Sequence, residues 1–302
     1  MKQILVFANP ISGLGMGLGM ARRLERCFVR LGMRPRVILE KADGAELPPL
    51  SDIQAAISIG GDGTLRQVAE RLVEETQAAG LGVLPFPMAI VPMGTANLMA
   101  LHTGNIWRDE CLETELPAAL CRGKSRLVDV ARTQRGVFLI MVGVGVDGSI
   151  IHELHRTRTG PISLLAYLWP AMHAWCNYGF PELAVEVDGE PVFPMQSGLV
   201  FVGNAREYGT GFPLLTQARS DDGLLDVLAM PVNNRSHLVR LAMAMMTGEH
   251  VREEGVIYVR GKHVAVRSQR PVPVQIDGEV AGFSPVTVDL LPVRVPFIVP
   301  GQ

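Results

Sequence analysis

A glycine-rich turn, GGDGT at residues 60–64, holds the first residues of this chain that could do chemistry. An apolar run ending at Ile59 precedes it, and apolar residues at spacings of three and four follow it from Leu65. This pattern predicts a strand, a turn and a helix over about 65–79. Glycines let the backbone approach a ligand, and a helix N-terminus favours phosphate. Asp62 would repel a phosphate directly, but it suits a magnesium ion or a bridging water. The alternative is an ordinary turn in which Asp62 or Thr64 caps the helix.

Composition sets the broad class of the protein. The chain has 302 residues, 48% of them hydrophobic, which is enough for two domains or one large one. The formal net charge of −2 argues against a nucleic-acid partner. The cysteines lack metal-site spacing and are expected to be reduced thiols. The sequence shows no signal peptide and no transmembrane run. We therefore expect a cytoplasmic protein that can still touch a membrane surface.

The first half of the chain repeats the strand–turn–helix pattern. A buried strand is predicted at Gln3–Ala8, before the glycine loop NPISG at 9–13, and another at Met88–Val91, before PMGTAN at 92–97. Such repeats indicate a parallel sheet with helices on both faces. Ligands of these sheets bind at the carboxyl ends of the strands, where all three glycine turns fall.

From about Leu127 the pattern changes to short β-rich runs, which include 137–144 and 286–290 and are separated by Asp-Gly turns. This pattern is typical of an antiparallel sandwich or barrel. Helical insertions are predicted at about 162–176 and 236–247. The predicted domains are therefore residues 1–125 and 126–291.

Six motifs occur in order along the chain: NPISG (9–13), GGDGT (60–64), PMGTAN (92–97), GVGVDGSI (143–150), DGLLDV (222–227) and VQIDGE (274–279). Together they resemble the diacylglycerol kinase catalytic-domain family of lipid kinases, which includes sphingosine and ceramide kinases and the bacterial YegS-type enzymes. The resemblance implies a doubly wound parallel α/β nucleotide-binding domain and a C-terminal antiparallel β-sandwich domain, with the active site in the cleft. It also implies that residues 292–302 pack back against the first domain.

The resemblance further implies an ATP-dependent kinase that phosphorylates the hydroxyl of a lipid alcohol. Magnesium would supply much of the charge neutralisation, and Asp62 would hold it through water. The residues expected around the ATP phosphates are Asn9, Ser12, Gly60, Gly61, Asp62, Gly63, Thr64 and Thr95.

The resemblance assigns the general base to the DGE motif at 277–279. Glu279 is the expected proton acceptor, with Asp277 in support. The alternative is a plain hairpin turn, because Asp-Gly is a common turn dipeptide. The same three letters recur at 188–190, and we interpret that copy as a plain turn.

A second acidic cluster surrounds Asp222. The resemblance implies a structural magnesium site there, formed by Asp222 with the backbone carbonyls of Arg219 and Leu224. The alternative is a turn whose aspartates cap their own backbone.

The sequence departs from the family pattern at three positions. Ile38 occupies the place of a threonine that contacts nucleotide, and Leu98 follows PMGTAN where a polar residue is common. Arg66 stands where an asparagine is usual. It could reach a phosphate, although a solvated helix residue is the favoured interpretation.

A lipid acceptor requires an apolar surface, and two helical segments could provide one. The alternative is that both helices bury these faces in the core. Three arginines, Arg132, Arg156 and Arg158, could meet anionic headgroups during transient membrane contact. Oligomeric state stays open, a homodimer included. The apolar residues are Leu164, Leu165, Tyr167, Leu168, Trp169, Met172, Trp175 and Tyr178 in the first segment and Leu238, Val239, Leu241, Met243, Met245 and Met246 in the second.

Two rival functions remain at this point. One is a soluble-substrate kinase such as an NAD kinase, which shares a GGDGT-type loop but uses an Asn-Glu or Asn-Asp pair that this sequence lacks. The other is a non-catalytic nucleotide- or lipid-binding protein. An intact GGDGT together with DGE argues against the second rival.

Overall fold

The computed structural model describes residues 2–10, 12–39, 41–157, 168–209 and 211–300. The chain divides into two compact units. Unit 1 comprises Met1–Val130 with Pro292–Gln302, and unit 2 comprises Ala131–Leu291.

Unit 1 alternates strands with helices. The strands are β1 (Gln3–Ala8), β2 (Arg34–Ile38), β3 (Ile53–Gly60) and β4 (Met88–Pro92). The helices are α1 (Ser12–Gly15), α2 (Gly17–Arg30), α3 (Asp62–Ala78), α4 (Leu98–Thr103) and α5 (Leu112–Arg122).

The strands of unit 1 form a parallel sheet in the order β2-β1-β3-β4. The order reverses between β1 and β3, which makes the carboxyl ends of these two strands the topological switch point. Alternate strand residues pack with α2 and α5 in one buried cluster, and α3 buries Leu65, Val68 and Leu72. The predicted α/β architecture is confirmed.

Unit 2 is built mainly from antiparallel strands, of which β5 begins in unit 1 and the last strand, β17, ends there. The strands are β5 (Ser125–Thr133), β6 (Gly136–Phe138), β7 (Met141–Val144), β8 (Glu182–Val187), β9 (Glu190–Gly203), β10 (Glu207–Tyr208), β11 (Phe212–Pro213), β12 (Leu225–Pro231), β13 (Ile257–Gly261), β14 (His263–Ser268), β15 (Pro273–Ile276), β16 (Glu279–Phe283) and β17 (Val286–Ile298). The helices are α6 (Val146–Thr157), α7 (Leu168–Asn177) and α8 (Arg235–Thr247).

The long strand β9 links the two layers of this unit. Its first part, up to Ser197, pairs with β8, and its second part, from Gly198, pairs with β7 and β12. Apolar residues of both layers meet in one buried cluster that includes Phe138, Phe193 and Val227. The predicted β-sandwich is confirmed.

Three elements of unit 2 differ from the sequence prediction. The predicted run 137–144 is two strands, β6 and β7, and the predicted run 286–290 extends to Ile298 as β17. Helix α6 was not predicted. The predicted helix at 162–176 lies partly outside the described residues, within which α7 begins at Leu168. None of the helices in the described ranges is long and apolar enough to cross a membrane.

Candidate functional site

Three loops of unit 1 follow β1, β3 and β4, at the carboxyl ends of these strands. The Asn9 N–H donates to the Ile59 carbonyl at 3.2 Å, and the Met93 N–H donates to the Gly60 carbonyl at 2.9 Å. These bonds join the three loops where the strand order reverses. The sequence predicted this convergence because parallel strands end at one edge of a sheet.

Two of these loops pack backbone against backbone. A Cβ at Gly94 would lie 2.6 Å from the Gly61 Cα and 2.8 Å from the Asn97 Oδ1. A Cβ at Gly60 would lie 2.6 Å from the Thr64 side chain. Gly61 and Gly94 therefore allow a close approach of the two loops that a side chain would prevent.

Asp62 is the first residue of α3, and Gly61 is the N-cap. Helix α3 thus begins three residues before the predicted start at Leu65, and neither Asp62 nor Thr64 is its cap. The Asp62 carboxylate instead accepts the N–H groups of Leu98 at 3.0 Å and Met99 at 3.1 Å, which begin α4. Asp62 therefore caps another helix across the sheet edge.

Two effects act in opposite directions on the pKa of the Asp62 carboxyl group. Burial raises the pKa of its carboxyl group, and the N–H donors of Met99 and Leu98 oppose that rise. Each oxygen of an ionised carboxylate can accept a second hydrogen bond, so both retain the capacity to bind a water.

A cavity of about 260 Å³ lies beside the loops after β1 and β3. Its lining includes Asn9 and Thr64, with Lys41 as the cation and Phe7 and Val68 among the apolar residues. Ser12 and Thr95 do not line it. Ser12 begins α1, and Thr95 is exposed in the loop after β4.

Lys41 was missed by the sequence interpretation, because it follows β2 without any motif around it.

Arg66 is half-buried, and its Nε atom lacks a hydrogen-bond partner among the residues that the structure describes. Ile38, at the expected threonine position, is buried as the last residue of β2. A larger concavity of about 400 Å³ is lined by residues of α2 and β2, with long charged side chains such as Arg22 and Arg34. None of the described residues that line it belongs to the glycine loops.

In unit 2, the DGE motif forms the turn between β15 and β16. Asp277 and Gly278 both have positive φ, 47° and 79°, as a type I′ hairpin turn requires. The buried Asp277 carboxylate accepts three backbone N–H groups, from Leu139 at 3.0 Å, Ile140 at 3.0 Å and Met141 at 2.9 Å. These amides lie where the predicted strand 137–144 is broken, because they bind the carboxylate instead of continuing the strand.

Glu279, two residues later, has a different environment. Its side chain is half-buried, and no hydrogen bond or ion pair engages its carboxylate within the described part of the chain. The turn that carries it is fixed from a second side, since the Gly278 N–H donates to the Gln275 side-chain oxygen at 2.8 Å. One carboxylate of the motif is thus fully engaged and the other is available.

The second DGE triplet, at 188–190, repeats the same construction. Asp188 has φ 51°, and its carboxylate accepts the N–H groups of Lys262 at 3.0 Å and His263 at 2.8 Å. The N–H donors of His263 and Lys262 lower the pKa of Asp188. Glu190, however, is exposed. The aspartate anchors a neighbouring strand in both copies, and the copies differ in the surroundings of the glutamate.

Asp147, within the GVGVDGSI motif, is a further buried carboxylate. Burial raises its pKa to about 7. The Tyr208 hydroxyl donates to its Oδ1 atom, whereas its Oδ2 atom lacks a hydrogen-bond partner among the described residues. The nearby Gln275 side chain opposes the rise in pKa. The motif was noticed in the sequence, but nothing in it signalled that Asp147 is buried.

The Asp222 loop contains a turn hydrogen bond and a buried neighbour. The Asp222 Oδ1 accepts the Leu224 N–H at 3.2 Å, its Oδ2 lies 3.5 Å from Arg260, and the Arg219 side chain is exposed. Asp226 is fully buried, and its Oδ2 lacks a partner within the described residues. Burial raises the pKa of Asp226, and the negative charge of Asp222 adds to the rise. Sequence interpretation did not single out Asp226.

No group of three or more His, Cys, Asp or Glu side chains converges on a metal-sized site in the described ranges. A cation in the Asp222 loop would therefore depend on backbone carbonyls for most of its ligands. The unpartnered Asp226 oxygen is compatible with such a cation.

The predicted apolar helices expose part of their apolar surface. Trp169, Met172, Val239, Met243 and Met246 are exposed, whereas their neighbours Tyr178, Leu238 and Leu241 are buried. Leu164, Leu165 and Tyr167 lie outside the described residues.

The fold and the loops define the class of the protein first. It has an α/β unit with glycine loops at its switch point and an antiparallel sandwich unit with a carboxylate turn. Residues 3–133 match the diacylglycerol kinase catalytic domain, and residues 140–299 match the YegS C-terminal NAD kinase beta sandwich-like domain. The chain belongs to the diacylglycerol kinase catalytic-domain family of lipid kinases.

Individual relatives are similar over most of this chain. A diacylglycerol kinase of Bacillus subtilis (strain 168) is 23% identical over 290 residues, which cover 94% of this chain and 92% of that protein. An uncharacterized Synechocystis protein is 26% identical over 244 residues, and the match spans only 52% of that protein's length. A crystal structure of a putative diacylglycerol kinase from Bacillus anthracis str. Sterne has a TM-score of 0.70 and 20% identity, with 99% of this chain and 95% of that chain covered. The structural likeness, at this identity, concerns the fold alone.

Proposed function

We propose that this chain is an ATP-dependent lipid kinase that transfers the γ-phosphate of ATP to the hydroxyl of a diacylglycerol-like or sphingoid-like lipid alcohol. The observation that carries the proposal is the difference between the environments of the two carboxylates in the DGE turn. Asp277 is engaged by three backbone N–H groups, whereas no described residue forms a hydrogen bond or ion pair with the Glu279 carboxylate on this anchored turn. A general base needs both an available lone pair and a fixed position.

In this proposal the ATP phosphates lie over the glycine turn at 60–64. The contact between Gly61 and Gly94 leaves backbone rather than side chains at the surface of these loops. Asn9 and Thr64 line the adjacent cavity, and Lys41 adds a positive charge that favours a polyphosphate. Ser12 and Thr95 are proposed to contribute from the neighbouring loops.

The chemical step needs few protein groups. Glu279 accepts the proton of the lipid hydroxyl while its oxygen bonds to the γ-phosphorus. The bond between that phosphorus and the bridging oxygen breaks, and ADP leaves with the electron pair. Asp277 positions the turn and transfers no proton in this scheme. Catalysis of this type rests on positioning and charge stabilisation.

Magnesium, when bound with ATP, would neutralise charge on the phosphates. Asp62 fits the task of orienting a metal-bound water, because each of its oxygens retains acceptor capacity beside its backbone donor. A second, structural ion is proposed near Asp222, with the carbonyls of Arg219 and Leu224. The buried Asp226 Oδ2 atom, which has no hydrogen-bond partner among the described residues, supports a cation there.

The test is a phosphorylation assay with labelled ATP, magnesium and a panel of lipid alcohols in mixed micelles. We expect phosphate to appear in one lipid class. Glu279→Gln should lower kcat by about 10²–10⁴-fold with little change in fold. Glu190→Gln, the same substitution in the second DGE triplet, is the matched control and should retain activity.

The assay also distinguishes the lipid kinase from the two alternative functions, a soluble-substrate kinase and a non-catalytic binding protein. Transfer to NAD but to no lipid would move the assignment to a soluble-substrate kinase. ATP binding without transfer to any acceptor would favour a non-catalytic binder. Full activity in Glu279→Gln would retain the kinase and reject Glu279 as its base.

A further inference from the structure

Strand β16, which begins with Glu279, is irregular soon after that residue. Glu279 and Val280 pair with β15 in register, but the next paired residue is Phe283. Ala281 and Gly282 stand where β15 offers a single residue, which is a β-bulge. Among the described strands only β15 pairs with β16. The candidate base therefore lies on an edge strand whose regular ladder is short.

Arg135, from the turn between β5 and β6, binds both ends of this bulge. Its guanidinium group donates to the carbonyl of Ala281 and, at 2.8 Å, to that of Phe283. Hydrogen bonds from a cation are stronger than neutral ones. Arg135 forms no ion pair with a carboxylate in the described part of the chain. Its charge is therefore directed at the two carbonyls.

Gly282 provides the space that the guanidinium group occupies. Its φ of 71° lies in the left-handed region, and a Cβ on this residue would overlap the Arg135 Nη1 atom. A side chain at position 282 would force the guanidinium group away from the bulge.

The turn that carries Arg135 is itself held in place. The buried Thr133 hydroxyl accepts the Arg135 N–H at 3.0 Å and donates to the Gly136 carbonyl at 3.3 Å. The adjacent Gln134 side chain accepts the Thr287 N–H of β17 at 3.1 Å. Two consecutive side chains of one turn therefore hold β16 and the strand that follows it.

We propose that Arg135 is a positioning residue for phosphate transfer, because it fixes the bulge that directs the Glu279 side chain. Without Arg135 the two carbonyls lose their protein donor, and β16 can fray from the bulge back towards Glu279. Asp277 would still anchor the turn, but the direction of Glu279 would vary. Such misplacement of a general base lowers kcat. The inference rests on the proposed function for the role of Glu279 as base.

The experiment compares Arg135→Ala with Arg235→Ala in the lipid-kinase assay of the full chain. Arg235 is the matched control, because it is an exposed arginine of the same unit and donates to the carbonyls of Trp175 at 3.3 Å and Cys176 at 2.7 Å. We expect Arg135→Ala to lower kcat roughly tenfold to a hundredfold with little change in the KM for ATP. Arg235→Ala should retain the wild-type kcat. Guanidinium chloride, added well below its denaturing range, should restore part of kcat in Arg135→Ala alone.

A double variant tests whether Arg135 acts through Glu279. In the Glu279→Gln background, Arg135→Ala should lower kcat by roughly twofold at most, because no base remains to be positioned. Gly282→Ala should reproduce the loss seen in Arg135→Ala, since its Cβ displaces the guanidinium group. A wild-type kcat in Arg135→Ala, or its full loss in the Glu279→Gln background, would overturn the proposal.

Hydrogen exchange distinguishes a failure of this inference from a failure of the proposed function. Exchange over residues 279–283 should be faster in Arg135→Ala than in the wild type and unchanged in Arg235→Ala. Unchanged exchange in Arg135→Ala would overturn the assigned role of Arg135. Faster exchange in that variant, beside a wild type that phosphorylates no acceptor, would reject the kinase and retain Arg135 as the residue that fixes β16.

Discussion

At the scale of single residues, the carboxylates of this chain differ in what already occupies them. Asp62, Asp188 and Asp277 each accept at least two backbone N–H groups from residues distant in sequence, and each fixes a loop or a strand. Glu279 accepts none within the described residues. Residue type alone does not distinguish an anchoring carboxylate from an available one.

We expect Asp277→Asn to destabilise the DGE turn. The wild-type carboxylate accepts three N–H groups, but the asparagine side chain has only one acceptor oxygen. Its NH₂ group would face backbone N–H donors, and we expect this to lower the unfolding free energy by about 1–3 kcal/mol. Urea unfolding would measure the loss, and hydrogen exchange should report faster exchange at Leu139–Met141. Asp188→Asn should cost less, because Asp188 is exposed. An equal loss in both variants would contradict this account.

We expect Asp147 to make stability depend on pH. Burial raises its folded-state pKa to about 7, well above the value in the unfolded chain. Its contribution is therefore fully present below about pH 4 and is lost as pH rises through about 7, at most about 4 kcal/mol in total.

The Asp147→Asn variant tests this linkage. As pH rises from 5 to 8, the unfolding free energy of the variant should increase relative to that of the wild type. Urea unfolding at each pH would measure this difference. A difference that stays constant over this range would show that Asp147 does not titrate there.

At the scale of elements, the strand-end loops of unit 1 depend on two glycines that touch. Gly94→Ala would place a Cβ 2.6 Å from the Gly61 Cα, so the loops must separate. We expect a loss of about 1–3 kcal/mol in unfolding free energy and weaker ATP binding, measured by urea unfolding and calorimetric titration.

Gly19→Ala is the matched control for that substitution. Gly19 lies in α2 with open space around its Cα. Alanine there should leave the loops intact and raise stability slightly. Unchanged ATP binding in Gly94→Ala would argue against a role for these loops in phosphate binding.

The sequence predicted these elements unevenly. Repeated apolar runs were sufficient for β1, β3 and β4, because buried parallel strands have a strong local pattern. The break between β6 and β7 was not predicted, because it depends on Asp277, which follows more than a hundred residues later. The N-terminal start of α3 was misplaced, because glycines in a first helical turn resemble a loop.

At the scale of the whole molecule, the final strand is divided between the two units. Its residues up to Leu291 belong to unit 2, and those from Pro292 belong to unit 1, where Phe297 pairs with Met88 of β4. Val293, Val295 and Phe297 are buried. Unit 1 therefore cannot complete its core from the N-terminal residues alone.

We expect Phe297→Ala to destabilise unit 1 by about 3–5 kcal/mol, because the side chain is fully buried. Thermal unfolding and hydrogen exchange along β4 would measure the effect. Leu31→Ala is the control, since Leu31 is 54% exposed in the same unit and should change stability little. Similar losses in the two variants would contradict the assigned burial.

The amino-acid sequence by itself determined the family, the α/β and β-sandwich patterns, and the motifs that contain the candidate site residues. These features follow from local periodicity and from glycines at fixed spacings. Only the tertiary structure decided that Asp62 caps α4, 36 residues away, and that Asp277 binds an amide 138 residues away while Glu279 stays available. The physical reason is that hydrogen bonding and burial depend on which strands pair, and a short motif does not contain that information.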